Sequence, residues 1–90
     1  MRNVREEPEW HWDGKWRIVM FDIPEKRREH RERLRRALSE LEYEPIQKSV
    51  FIGKRPLAGD IYEDILANEL RHCIHLLTVG EIDDETLFEK

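Results

Sequence analysis

Asp22 stands where a strongly apolar run, Trp16-Arg17-Ile18-Val19-Met20-Phe21, gives way to Pro24 and a basic stretch. Ligands gather at the carboxyl ends of strands in open α/β layouts, so a carboxylate there is a candidate for chemistry. Two readings suit its type and spacing. Two residues ahead of Pro24, it can accept N–H bonds from the first turn of a helix, which stabilises such a turn by about 0.5–2 kcal/mol. It can equally hold a hard cation such as Mg2+, which takes one or two carboxylates and fills its shell with water and phosphate oxygens. A two-fold dimer would supply the second carboxylate as another Asp22.

The eleven residues from Lys26 to Arg36 hold seven cations, Lys26, Arg27, Arg28, Arg31, Arg33, Arg35 and Arg36, against Glu29 and Glu32. Pairs four apart, Glu29 with Arg33 and Glu32 with Arg36, account for part of this as ordinary helix-surface ion pairs. The surplus points to phosphate attachment, a mode that reads no base sequence and weakens steeply with salt. Lys26, Arg27, Arg28, Arg31 and Arg35 are the residues expected to carry it. Other combinations offer less. His72-Cys73-Ile74-His75 straddles a turn and has no second ligand pair elsewhere, which zinc sites require. Ser49 has no His/Asp pair near it in sequence for nucleophilic catalysis. His11 and His30 read as surface residues, His30 near the upper end of a helical stripe. Trp10, Trp12 and Trp16 have faces on which bases stack, but aromatics beside a strand start more often cover a core edge.

These residues need elements to hold them. Trp16 to Phe21 is β-rich and nearly continuously apolar after Arg17, the pattern of a strand covered on both faces. Leu34, Ala37, Leu38 and Leu41 recur at helical spacing, which predicts a first helix from about Pro24 to Leu41 with Pro24 in its opening turn. Pro45 to Gly53 reads as two strands in a very tight hairpin broken at Lys48-Ser49. Asp60 is a natural N-cap for a second helix with the stripe Ile61, Ile65, Leu66, Leu70 and Cys73. Ile74 to Val79 makes a last strand, stopped by Gly80. The order β-α-β-β-α-β predicts an α+β, ferredoxin-like fold: a four-stranded antiparallel sheet with two helices on one face. Residues 1–14 form an irregular arm, 15–80 the domain and 81–90 an acidic tail. Two helices cover one face of the sheet. The other face, with Ile18, Met20, Val50 and Ile52, is expected to dimerise against a second copy.

Composition bounds the class. Ninety residues enclose one modest core, and without disulfides such a chain gains stability by pairing. A lone cysteine, Cys73, points to a reducing cytoplasm, and no apolar stretch approaches the length of a membrane span. Net charge is −4, yet residues 1–56 hold 14 Lys/Arg against 11 Asp/Glu while residues 57–90 hold 2 against 9. One basic face on an acidic protein is the consequence.

The run Arg17-Ile18-Val19-Met20-Phe21-Asp22-Ile23-Pro24, the basic helix after it and Ile46-Gln47-Lys48-Ser49-Val50-Phe51-Ile52-Gly53 together resemble the Cas-two family of CRISPR adaptation. The likeness covers about residues 15 to 80. It implies a cytoplasmic homodimer that binds protospacer duplex DNA and bridges dimers of the CRISPR integrase subunit. It implies Asp22 as the metal-binding and catalytic aspartate of a slow Mg2+-dependent endonuclease acting on RNA or DNA. Ser49 corresponds to the motif serine, with Phe51 beside it, and Arg27, Arg28 and Arg31 become candidates for touching the duplex. The Trp12-Asp13-Gly14-Lys15-Trp16 segment, in turn, looks like the start of the Cas-two-like middle domain of PaaX-type transcriptional repressors. Since no winged helix-turn-helix fits ahead of residue 10, the adaptation subunit is the expectation, with a dimerisation module of a PaaX-like regulator as the alternative and a toxin-type ribonuclease behind both.

Overall fold

The computed structural model describes residues 11–83. Four strands, β1 (Trp16–Phe21), β2 (Glu44–Gln47), β3 (Val50–Gly53) and β4 (Ile74–Val79), form one antiparallel sheet in the order β2-β3-β1-β4. Two helices, α1 (Arg28–Glu40) and α2 (Gly59–Ala67), connect them. This is the ferredoxin-like arrangement expected from the sequence. Among the described residues no helix is long and apolar enough to cross a membrane.

Strand register sorts the side chains. Val19 stands opposite Phe51 and Leu76, and Phe21 opposite Ile74, so these residues share one face. Val19, Phe21, Phe51 and Ile74 cluster with Leu34 and Leu38 of α1 and with Ile65 of α2, which places both helices on that face. The other face carries Trp16, Ile18 and Met20 of β1, with Val50 and Ile52 of β3 and Leu77 of β4 in register beside them.

Several local expectations change. Helical geometry begins not at Pro24 but with a 3-10 turn, Glu25–Arg27, and α1 ends at Glu40. A six-to-one bond from the Tyr43 N–H to the Leu38 carbonyl closes it, with Glu42 in the left-handed region at φ 67°. Asp60 is not the N-cap of α2: Ala58 holds that place in extended conformation with no side-chain cap. Of the α2 stripe, Ile65 and Leu70 are buried, whereas Leu66 is 59% exposed. The α2 helix stops at Ala67, and Leu70 reaches the core through a turn that returns its N–H to the Ile65 carbonyl. The Lys48-Ser49 break stands as a two-residue turn between β2 and β3.

On the open face Ile52 is only 2% exposed, so the single chain already buries a residue expected at the dimer contact. It lines a cleft of about 410 Å3 with Trp16 and Lys54. Ile18 and Val50 are half-buried, and only Met20 is exposed. Trp10 and residues 84–90 of the tail lie outside the described residues.

Candidate functional site

Asp22 is held by its backbone. The Phe21 N–H donates to the Ser49 carbonyl (3.0 Å) and the Asp22 N–H to the Cys73 carbonyl (2.7 Å), so the end of β1 is pinned between the β2–β3 turn and the lead into β4. Its side chain is exposed and caps nothing: the helical turn that follows has no side-chain cap. The capping reading therefore falls. Among the described residues no group of three or more His, Cys, Asp and Glu is close enough to hold an ion.

The other motif residues separate. Ser49 is half-buried and shares a small cleft of about 280 Å3 with Glu25, Arg31, Arg35 and Lys48. Phe51 is a core residue: it is 3% exposed and stacks on Phe21 with ring centroids 5.9 Å apart. Cys73 packs against the core, and His72 and His75 are exposed. His30 is half-buried rather than on the surface, and its Nδ1 is sealed from solvent without a hydrogen-bond partner.

The cations of the first helix are largely occupied. Glu25 accepts from Arg28 Nη1 (3.4 Å) and Arg31 Nη2 (3.2 Å), and Glu32 lies 3.5 Å from Arg31 and 3.9 Å from Arg35. Arg35 also donates to the Lys48 carbonyl (2.8 Å) and stands over the Phe51 ring. Arg27 donates to the Asn68 carbonyl beyond α2, which ties the two helical connections together. Arg33 pairs with Asp64 of α2 (3.3 Å) rather than with Glu29. Neither expected four-apart pair forms. Lys26 and Arg36 remain exposed without an ion pair among the described residues. Each of these bridges is at least partly wet, worth a few tenths of a kcal/mol up to about 1 kcal/mol, so they lower the free positive charge more than they add stability.

A second constellation was not apparent from the sequence. Arg17 forks onto Asp13 through two bonds of 2.9 and 2.8 Å and donates to the Lys54 carbonyl (2.7 Å). The two Arg17 bonds, with a third from the Lys15 N–H (3.0 Å), hold the Asp13 carboxyl down at about 2, so the pair persists below the ordinary carboxylate range and is lost as pH falls through 2. Trp12 Nε1 donates to the Lys15 carbonyl, and its ring meets Trp16 edge-on at 5.0 Å. Lys54 Nζ stands over both rings, 4.6 Å from Trp12 and 5.5 Å from Trp16. Gly14, at φ 85°, makes the bend that folds this segment back on itself. The Trp-Asp-Gly-Lys-Trp segment is thus a locked lead-in that clamps the start of β1 to the end of β3.

The family described as PaaX protein central Cas2-like domain matches residues 9–87, which take in this lead-in, the whole sheet and both helices. The chain belongs to that family. No curated protein and no solved structure gives a significant match. The PaaX central domain is Cas2-like by description, which agrees with the ferredoxin-like sheet.

Proposed function

We propose that this chain is a self-associating, non-enzymatic module of a PaaX-type transcriptional regulator. The observation that carries the reading is the family match from residue 9 to residue 87, over nearly the whole chain including the Trp12–Trp16 lead-in. One feature of the geometry agrees with it: four of the five helix cations expected on phosphate are already engaged by Glu25, Glu32, Asn68 or Lys48. The adaptation role, in which the chain bridges integrase dimers on duplex DNA, takes second place.

Binding to a short DNA duplex between low and moderate salt separates the two. Five free helix cations would give log K against log salt a slope near −4.5, from about −0.9 per phosphate contact. The regulator module is expected to bind weakly with a slope shallower than about −2 and to leave the integrase subunit uncaptured in a pull-down. A steep slope together with capture of the integrase returns the chain to the adaptation role. Asp22→Ala is expected to leave melting temperature and self-association unchanged, since its side chain holds nothing. Mg2+-dependent cleavage of RNA or DNA that this substitution abolishes would contradict the non-enzymatic reading.

A further inference from the structure

We propose that the slot between α1 and α2 binds a small molecule made of an apolar body and a protonated amine, with the body seated between the helices and the ammonium held at the mouth by Asp60 and Asp64. The slot lies on the helix side of the sheet, so its occupancy is independent of the regulator reading and of whatever covers the open face.

Arg27, just ahead of α1, donates to the Asn68 carbonyl just past α2, and Arg33 pairs with Asp64 one turn further back, so the two helices run antiparallel to each other. Alongside these links they enclose a cavity of about 260 Å3. Its lining is mostly apolar: Leu34 and Ala37 of α1, Ile61 and Ile65 of α2, with Leu70 and Ile74. Ala37 gives the α1 stripe only a methyl group at this point, which leaves a gap that a longer side chain would fill. Space of this size and lining suits a body of about six to nine non-hydrogen atoms, a benzene ring or a short alkyl chain.

The polar groups of the slot select the head group. They are His30, Arg33, Asp60 and Asp64. His30 Nδ1 is sealed from solvent, which puts it out of reach of a molecule entering from the mouth. Arg33 is already directed at Asp64, 3.3 Å away, and Asn68 donates to the same oxygen. Asp60 is exposed and has no ion pair among the described residues. Two carboxylates against one guanidinium leave a negative charge uncompensated at the mouth, which repels a carboxylate or phosphate and attracts a cation. Asp60 and Asp64 stand four apart on α2, where Cβ atoms are about 5–6 Å from each other, so both can turn to one ammonium and share its N–H donors. An inorganic cation would take the carboxylates and leave the apolar lining uncovered. An amine on a hydrocarbon body uses both.

Titration of the full chain with benzylamine near neutral pH, read by amide proton and nitrogen chemical shifts, tests this, with benzyl alcohol as the neutral analogue and benzoate as the anionic one. Benzylamine is expected to saturate with a dissociation constant of about 0.1–5 mM, the range open to a ligand of about eight non-hydrogen atoms, and to move the amides of Leu34, Ala37, Ile61 and Ile65. Benzyl alcohol and benzoate are each expected to bind about fivefold more weakly or worse. Asp60→Asn keeps the shape of an exposed residue that holds nothing else, and is expected to weaken benzylamine about fivefold while leaving benzyl alcohol within about twofold. Ala37→Met fills the gap and is expected to abolish binding of all three; a thermal melt verifies that it folds, and Asp60→Asn decides the matter where it does not. Glu63→Gln, on α2 but outside the slot, is expected to change nothing. Shifts confined to other parts of the chain, an affinity indifferent to Asp60→Asn, or an analogue without the ammonium binding as tightly as benzylamine would each overturn the proposal. Failure to saturate by about 20 mM benzylamine would show that the slot takes no such body, which overturns it as well.

Discussion

Tyr43 packs its ring directly over Gly53. Tyr43 is 3% exposed, and a Cβ at position 53 would collide with its ring. The ring cannot retreat, because its hydroxyl donates to the Arg55 carbonyl. Gly53→Ala must therefore displace a buried aromatic, and a loss of about 1–3 kcal/mol is expected from urea denaturation. Burial also pushes the Tyr43 hydroxyl up to about 12 from the ordinary 10. A pKa raised in the folded state means that the native protein keeps a proton the unfolded chain releases. Stability from this group is complete below pH 10 and declines as pH rises from 10 towards 12. Urea midpoints across that interval should fall in the wild type, and the part of the decline due to this phenol should vanish in Tyr43→Phe. Neither residue stood out in the sequence, because Tyr43 lies between the end of α1 and the start of β2, off both the helical and the strand period. A glycine at a strand end, for its part, looks like a stop signal rather than a seat for a ring.

The helix and strand signals were legible where one period ran long enough. The apolar run of β1, the Leu34–Leu38 stripe of α1, the break at Lys48-Ser49 and the β-branched last strand all follow from spacing, and together they fix the sheet order. What spacing misses is who neutralises whom. Glu25 binds Arg31 six residues on because a 3-10 turn precedes α1 and alters the angular offset, and Asp64 reaches Arg33 from another helix. A linear reading that pairs residues four apart therefore counts Arg31 as free and gives Arg33 the wrong partner. The same feature gives a test: Glu25→Gln removes the carboxylate that holds Arg28 and Arg31 together. Arg31 keeps Glu32, so Arg28 is the guanidinium released, and duplex binding should steepen by about one unit of log K per log salt. An unchanged slope would mean that Arg28 points away from any phosphate track.

For the molecule as a whole, the core is small and the uncovered apolar surface lies to one side of it. A single cluster joins the two helices to one face of the sheet, while five large apolar side chains surround the β4 edge in water. A chain of 90 residues without disulfides has little stability to spare, so covering that edge should matter to folding as well as to assembly. If a dimer is the stable form, unfolding yields two chains from one, and mass action makes the transition depend on concentration. A tenfold rise in protein concentration then adds about 1.4 kcal/mol per dimer, half of it per chain. For a domain of this size that corresponds to a melting temperature higher by about 3–5 °C. Differential scanning calorimetry over a hundredfold concentration range reads the effect directly. A melting temperature that stays level across the range would show that the small core stands alone.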